Sequence, residues 1–155
     1  MPQYSGPERI KNNAPSFRAV TNITSATSVW TVEQSGTTFL LNRAAGIAVT
    51  LPAIGADDVG TWFRAFVQTT LTGDGTFTAA TGDLLLGTMA MVDTDTGNTT
   101  VTLSPDGTDD LILTWNGTTT GGLIGSWAMF EAISATAWLV TGFSRHSSNV
   151  ATPFS

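Results

Sequence analysis

Short apolar runs, each broken within a few residues by a turn, fill this chain from about Thr21 onward, and few folds accept such text. The runs are "TSVWTV" (27–32), "TTFLLN" (37–42), "IAVTL" (47–51), "TWFRAFVQT" (61–69), "GTFTAA" (75–80), "LLLGTMAMV" (84–92), "TTVTL" (99–103) and "LILTW" (111–115). β-Branched and aromatic residues dominate them, which suits a pleated, half-buried surface. Between them stand Gly46, Leu51-Pro52, Gly73-Asp74-Gly75, Gly97-Asn98, Pro105-Asp106-Gly107 and Asn116-Gly117, residues that supply turn conformations. One helical turn is expected, around Ala56-Asp57-Asp58-Val59. About ten short strands at this spacing predict an all-β fold, a single-domain antiparallel β-sandwich or barrel of jelly-roll type.

The strongest pattern closes the series. "GSWAMFEAISATAWLVTG" (125–142) holds two apolar runs, each with a tryptophan, around Ser134-Ala135-Thr136. It reads as a hairpin, and only Glu131 in it could take part in acid–base chemistry.

Residues 1–20 read differently. They contain Pro2, Pro7 and Pro15 and no run with strand or helical period. Proline fixes its own φ and pushes the preceding residue toward extended backbone. The expected organisation is an extended N-terminal arm (1–20), a β body (21–145) and a short C-terminal tail (146–155). Tyr4, Ile10, Phe17 and Val20 are apolar anchors that a purely solvated arm would not need.

Charge sharpens the division. The chain of 155 residues carries 12% charged residues and a net charge of −6, with 6 Lys and Arg against 12 Asp and Glu. Arg9, Lys11 and Arg18 lie in the arm, and no basic residue separates Arg64 from Arg145. An acidic body argues against nucleic acid as a partner, because phosphate contacts need clustered Lys and Arg. Few charges and much Thr, Gly and Ala suit a surface that packs against other protein. The absence of cysteine excludes disulfides and thiol chemistry. No apolar run approaches the ~20 residues of a membrane-spanning helix, and Met1 to Ser5 lack the pattern of a signal peptide. Synthesis in a reducing cytoplasm and no membrane partner are the expectations.

Residues able to do chemistry are sparse. His146, the one histidine, lies in "SRHSSN" and reads as a solvated tail residue rather than a base or ligand. "DTDTGN" (93–98) resembles a calcium loop, but Gly97 and Ser104 occupy two positions that need oxygen ligands, so a turn is the better reading. Asp57-Asp58 and Asp109-Asp110 are candidates for a glycosidase pair, yet adjacent loop aspartates are more often solvated. "GGLIG" (121–125) lacks the Lys and Ser/Thr of a phosphate loop. The sequons at Asn22, Asn98 and Asn116 are expected by chance in so Thr-rich a chain. No catalytic residue, metal site or cofactor is assigned, and the chain is not expected to be an enzyme. Trp30, Trp62, Trp115, Trp127 and Trp138 each sit in a strand-like run and are assigned to core or subunit packing rather than to a carbohydrate platform.

"SGTTFLLNRAAGIAVTLPAIGADDVGTWFRAFV" (35–67) resembles the front half of the tailed-bacteriophage capsid decoration proteins, also called cement or auxiliary head proteins. Their ending, Gly-x-Trp, an apolar strand, a short turn and Trp-x-Val-x-Gly, is matched by Gly125, Trp127, Trp138, Val140 and Gly142. The turn departs from the family, with Ser134-Ala135-Thr136-Ala137 in place of an Asp-Gly-Thr-Asn-like sequence, which leaves its register open. The resemblance implies a virion protein on the outer capsid surface, a homotrimer that bridges capsomers by binding the major capsid protein. On that reading Tyr4, Arg9, Ile10, Lys11, Phe17 and Arg18 of the arm contact the shell. The alternative is a tail-fibre or spike module that binds host-surface glycans.

Overall fold

A computed structural model describes residues 19–95, 97 and 99–155. The strands are β1 (Ala19–Ile23), β2 (Thr27–Val29), β3 (Thr37–Leu41), β4 (Ile47–Thr50), β5 (Trp62–Val67), β6 (Gly75–Thr78), β7 (Leu84–Asp93), β8 (Thr100–Leu103), β9 (Ile112–Trp115), β10 (Trp127–Ser134) and β11 (Ala137–His146). The only helical pieces described are 3₁₀ turns at Val32–Gln34 and Ala56–Asp58. The second is the helical turn expected around Ala56, and Asp58 closes it by accepting the Gly55 N–H at 2.9 Å.

The all-β class holds, but the pairing is mixed rather than antiparallel. A seven-stranded sheet runs β1-β3-β5-β10-β11-β7-β8, and a four-stranded sheet runs β2-β4-β6-β9. The first six strands alternate between the two sheets, so that β1, β3 and β5 stack in parallel in one and β2, β4 and β6 in the other. Parallel neighbours need a crossover connection. Here the crossover is itself a strand of the opposite sheet, and the chain winds as three coils. β7 then pairs in parallel with β11, while β10, β11, β8 and β9 supply the antiparallel ladders.

Successive coils touch at their turns. Thr72 and Gly73 donate to the Ala44 carbonyl, and Ile47 donates to that of Asp74. Gly46 has φ +89°, and a Cβ there would fall inside contact with the Asp74 backbone. A residue without a side chain is what lets the two turns lie so close.

The hairpin of β10 and β11 is closed by Ala135-Thr136, with Ser134 paired to Ala137 and a bulge between Ala132 and Ser134. The bulge leaves Ile133 exposed. β11 continues past Gly142, its parallel register with β7 running from Ala137–Leu84 to His146–Asp93.

Alternate residues of both sheets meet in one core. Trp30, on the connection after β2, stacks on Phe39 with ring centroids 4.1 Å apart and also meets Phe63, Phe77 and Phe130. Trp115 packs edge-on against Phe77, and Trp138 packs against Phe63. Burying each such side chain contributes roughly 1.5–3 kcal/mol, and aromatic pairs add about 0.5–1.5 kcal/mol beyond area. The indole N–H groups of Trp30, Trp115 and Trp138 have no hydrogen-bond partner, so packing alone must outweigh their desolvation.

Both ends of the β body differ from expectation. Ala19 and Val20 open strand β1 instead of ending an arm, because they pair with Thr37 and Thr38 of β3. Residues 153–155 are not a loose tail. Thr114 donates to the Pro153 carbonyl and Ile112 to that of Ser155, each at 2.7 Å, and Phe154 is buried in the core.

Candidate interaction surface

The arm residues Tyr4, Arg9, Ile10, Lys11, Phe17 and Arg18 lie outside the described residues. The remaining sequence candidates divide between the core and the surface. Trp30, Trp115 and Trp138 are buried. Trp62 and Trp127 are half-buried and sit on the opposite side of the seven-stranded sheet from the four-stranded one.

Several polar candidates serve local structure. His146 is not a solvated tail residue, because it ends β11 and is 2% exposed. Its Nδ1 faces the Ser148 carbonyl at 2.7 Å, and its own carbonyl accepts from the backbone and hydroxyl of Thr94. Asp93 accepts the Asp95 N–H, an Asx turn where a calcium loop was weighed. Thr96 and Asn98 of that motif lie outside the described residues. Asp110 accepts the Asp106 N–H at 2.6 Å, while Asp106 accepts from Thr108 and Asp109, bonds that hold its carboxyl below the usual carboxylate range. Among the described residues no group of three His, Asp or Glu is placed to hold a metal ion.

The outer face of the seven-stranded sheet is the feature that sequence reasoning missed. Inner and outer residues alternate along each strand, and the registers of neighbouring strands align the outer ones in rows. One row runs Leu40, Phe66, Trp127, Phe143, Ala90 across β3, β5, β10, β11 and β7. Its five members are all half-buried. Adjacent rows add Met129 beside Arg64 and Thr141, and Trp62 beside Glu131, Leu139 and Leu86. The row alone spans about 19 Å at the usual inter-strand spacing. Every described strand belongs to one of the two sheets, so none lies over this face.

Charge on the face is sparse and mostly positive. The Arg64 guanidinium carbon lies 4.9 Å from the centre of the Trp127 ring, and its Nε is buried without a hydrogen-bond partner. Arg145 donates to the Ile124 carbonyl at 2.8 Å. Glu131 is the one carboxylate that the register places here, although the chain carries 12 acidic residues. Aromatic, Met and Arg side chains without a lysine or aspartate is the composition enriched at the centre of protein interfaces. The signal was in the sequence: "WFRAFV" is apolar at both parities but for Arg64, and so cannot hide one face only.

Comparison with protein-family models and with curated proteins gives no match.

Proposed function

We propose that this chain is a structural virion protein that binds the outer surface of a phage capsid as a homotrimer and stabilises the shell by bridging capsomers. The observation that carries the reading is the aromatic outer face of the seven-stranded sheet. Such a face binds by shape and area, which suits a brace that must stay in place and transform nothing. Two sheets packed on one core, with residues 153–155 hydrogen-bonded to β9, suit a passive support. An acidic body suits the outside of a shell, away from packaged DNA. The motif resemblance over residues 35–67 and 125–142 points to the same role, with the major capsid protein as partner.

Electron microscopy of the native particle that carries the chain is the test. Density for the two-sheet body is expected on the outer shell where capsomers meet. Density on the tail alone would overturn the reading.

Trp127, half-buried on this outer face, favours one alternative, a tail-fibre module that stacks host-surface sugars on it. Under that reading glycans quench the tryptophan fluorescence of the isolated protein, and Trp127→Ala abolishes the response.

A further inference from the structure

We infer that the outer face of the seven-stranded sheet is the surface through which copies of this chain pack together, with Arg64 of one copy paired to Glu131 of the next. The inference rests on the self-association proposed above and names the surface responsible for it.

Three features select a second copy over another partner. First, neither Arg64 nor Glu131 has a partner of opposite charge on the face, while Arg145, the other cation there, is held by the Ile124 carbonyl. Arg64 and Glu131 lie on neighbouring strands, since Arg64 is in register with Met129 and Glu131 with Trp62. No ion pair joins them within the chain, and Arg64 keeps a buried nitrogen without a partner. A face that displays both members of an unmade pair can offer each of them to a neighbouring copy.

Second, the face avoids the charge that would keep copies apart. The chain has a net charge of −6, yet its outer sheet positions hold Arg64, Arg145 and a single carboxylate. Acidic residues concentrate instead on turns, at Asp57, Asp58, Asp95, Asp106 and Asp109. Like-charge repulsion therefore falls mostly outside the contact.

Third, the size is adequate. Seven strands span about 29 Å, and a six-residue strand about 20 Å, which gives a face on the order of 600 Å² before corrugation. A standard interface buries about 800 Å² per partner, so the sheet face supplies most of the area that one needs. Burial at such a contact also gives Arg64 a charged partner where it now has only the Trp127 ring.

The test is a charge exchange read by light scattering of the full chain at micromolar concentration. The parent chain is expected to be oligomeric. Arg64→Glu and Glu131→Arg should each weaken association at least tenfold, and the double exchange should restore most of it. If the parent is oligomeric and neither exchange moves its mass, or if the double variant is no better than the singles, the assigned surface is wrong while self-association stands. A parent chain that stays monomeric to millimolar concentration overturns both.

A second measurement does not depend on how the exchanged variants fold. The chain has no cysteine, so one introduced thiol reports contact without background. Thr141→Cys, at the centre of the face, should cross-link to a second copy with a short bis-maleimide. Thr76→Cys, on β6 of the other sheet, should not. The reverse pattern would remove the proposal.

Discussion

The two faces of the seven-stranded sheet are built from the same strands and nearly the same residue types, yet they end in different states. Inward, Phe39, Phe63, Phe130 and Trp138 are at most 1% exposed beneath the four-stranded sheet. Outward, Phe66, Trp127 and Phe143 stay half-buried, with no described strand over them. Four strands can cover one side of seven, and no other described strand remains for the outer side. Burial of an aromatic side chain is therefore decided by which element faces it, not by its hydrophobicity.

The largest expected effect attacks the covered side. Trp138→Ala should cost about 3–5 kcal/mol, since it empties a fully enclosed site beside Phe63. In a domain of this size that lowers the melting temperature by roughly 6–20 °C in calorimetry. A loss no larger than that of Phe143→Ala would erase the distinction between the faces.

Next comes the coil geometry that holds the inner face in place. Gly46→Ala forces a side chain onto a backbone at φ +89° and against the Asp74 backbone. The cost should be at least about 2 kcal/mol, read as a shifted urea midpoint. A neutral result would mean that the turns of successive coils are not in register.

Phe143→Ala probes the outer face. The dissociated chain should lose only about 1 kcal/mol, because the ring is already partly in water. Chemical denaturation below the association threshold measures it. A loss comparable to that of Trp138→Ala would mean that the outer face is buried within the single chain.

The smallest effect concerns Asp83, the one buried carboxylate among the described residues. Burial pushes its carboxyl above the usual range, opposed by the hydrogen bond from the Ile54 N–H. Its folded pKa thus exceeds its unfolded one. Its share of stability is full below the unfolded pKa and is lost as pH rises through the folded pKa. Asp83→Asn should flatten that part of the stability–pH curve, measured by denaturation across the acidic range. An unchanged slope would show that the carboxylate is solvated.

Much of the architecture was legible in the sequence because period-two runs and turn residues are local signals. β3 to β11 fall within or close to the expected runs. β1 was not legible, since "AVTNI" has the burial pattern of an edge with only Ile23 buried. The burial of His146 was hidden for a related reason. The run in β11 loses its apolar alternation after Phe143, and a ten-residue parallel ladder to β7 carries the strand onward.

The sequence by itself determined the class, the positions of β2 to β11, the hairpin of β10 and β11, and the acidic, charge-poor body. These depend on residue type and on neighbours a few positions away. Tertiary structure alone decided that the strands wind as coils with mixed pairing, since a strand's alternation is the same whether its neighbour runs parallel or antiparallel. It also sorted the tryptophans, sending Trp30, Trp115 and Trp138 inward and leaving Trp62 and Trp127 half-buried on the outer face. Where both parities of a strand are apolar, local pattern cannot choose a side, and the second sheet makes the choice by covering one of them.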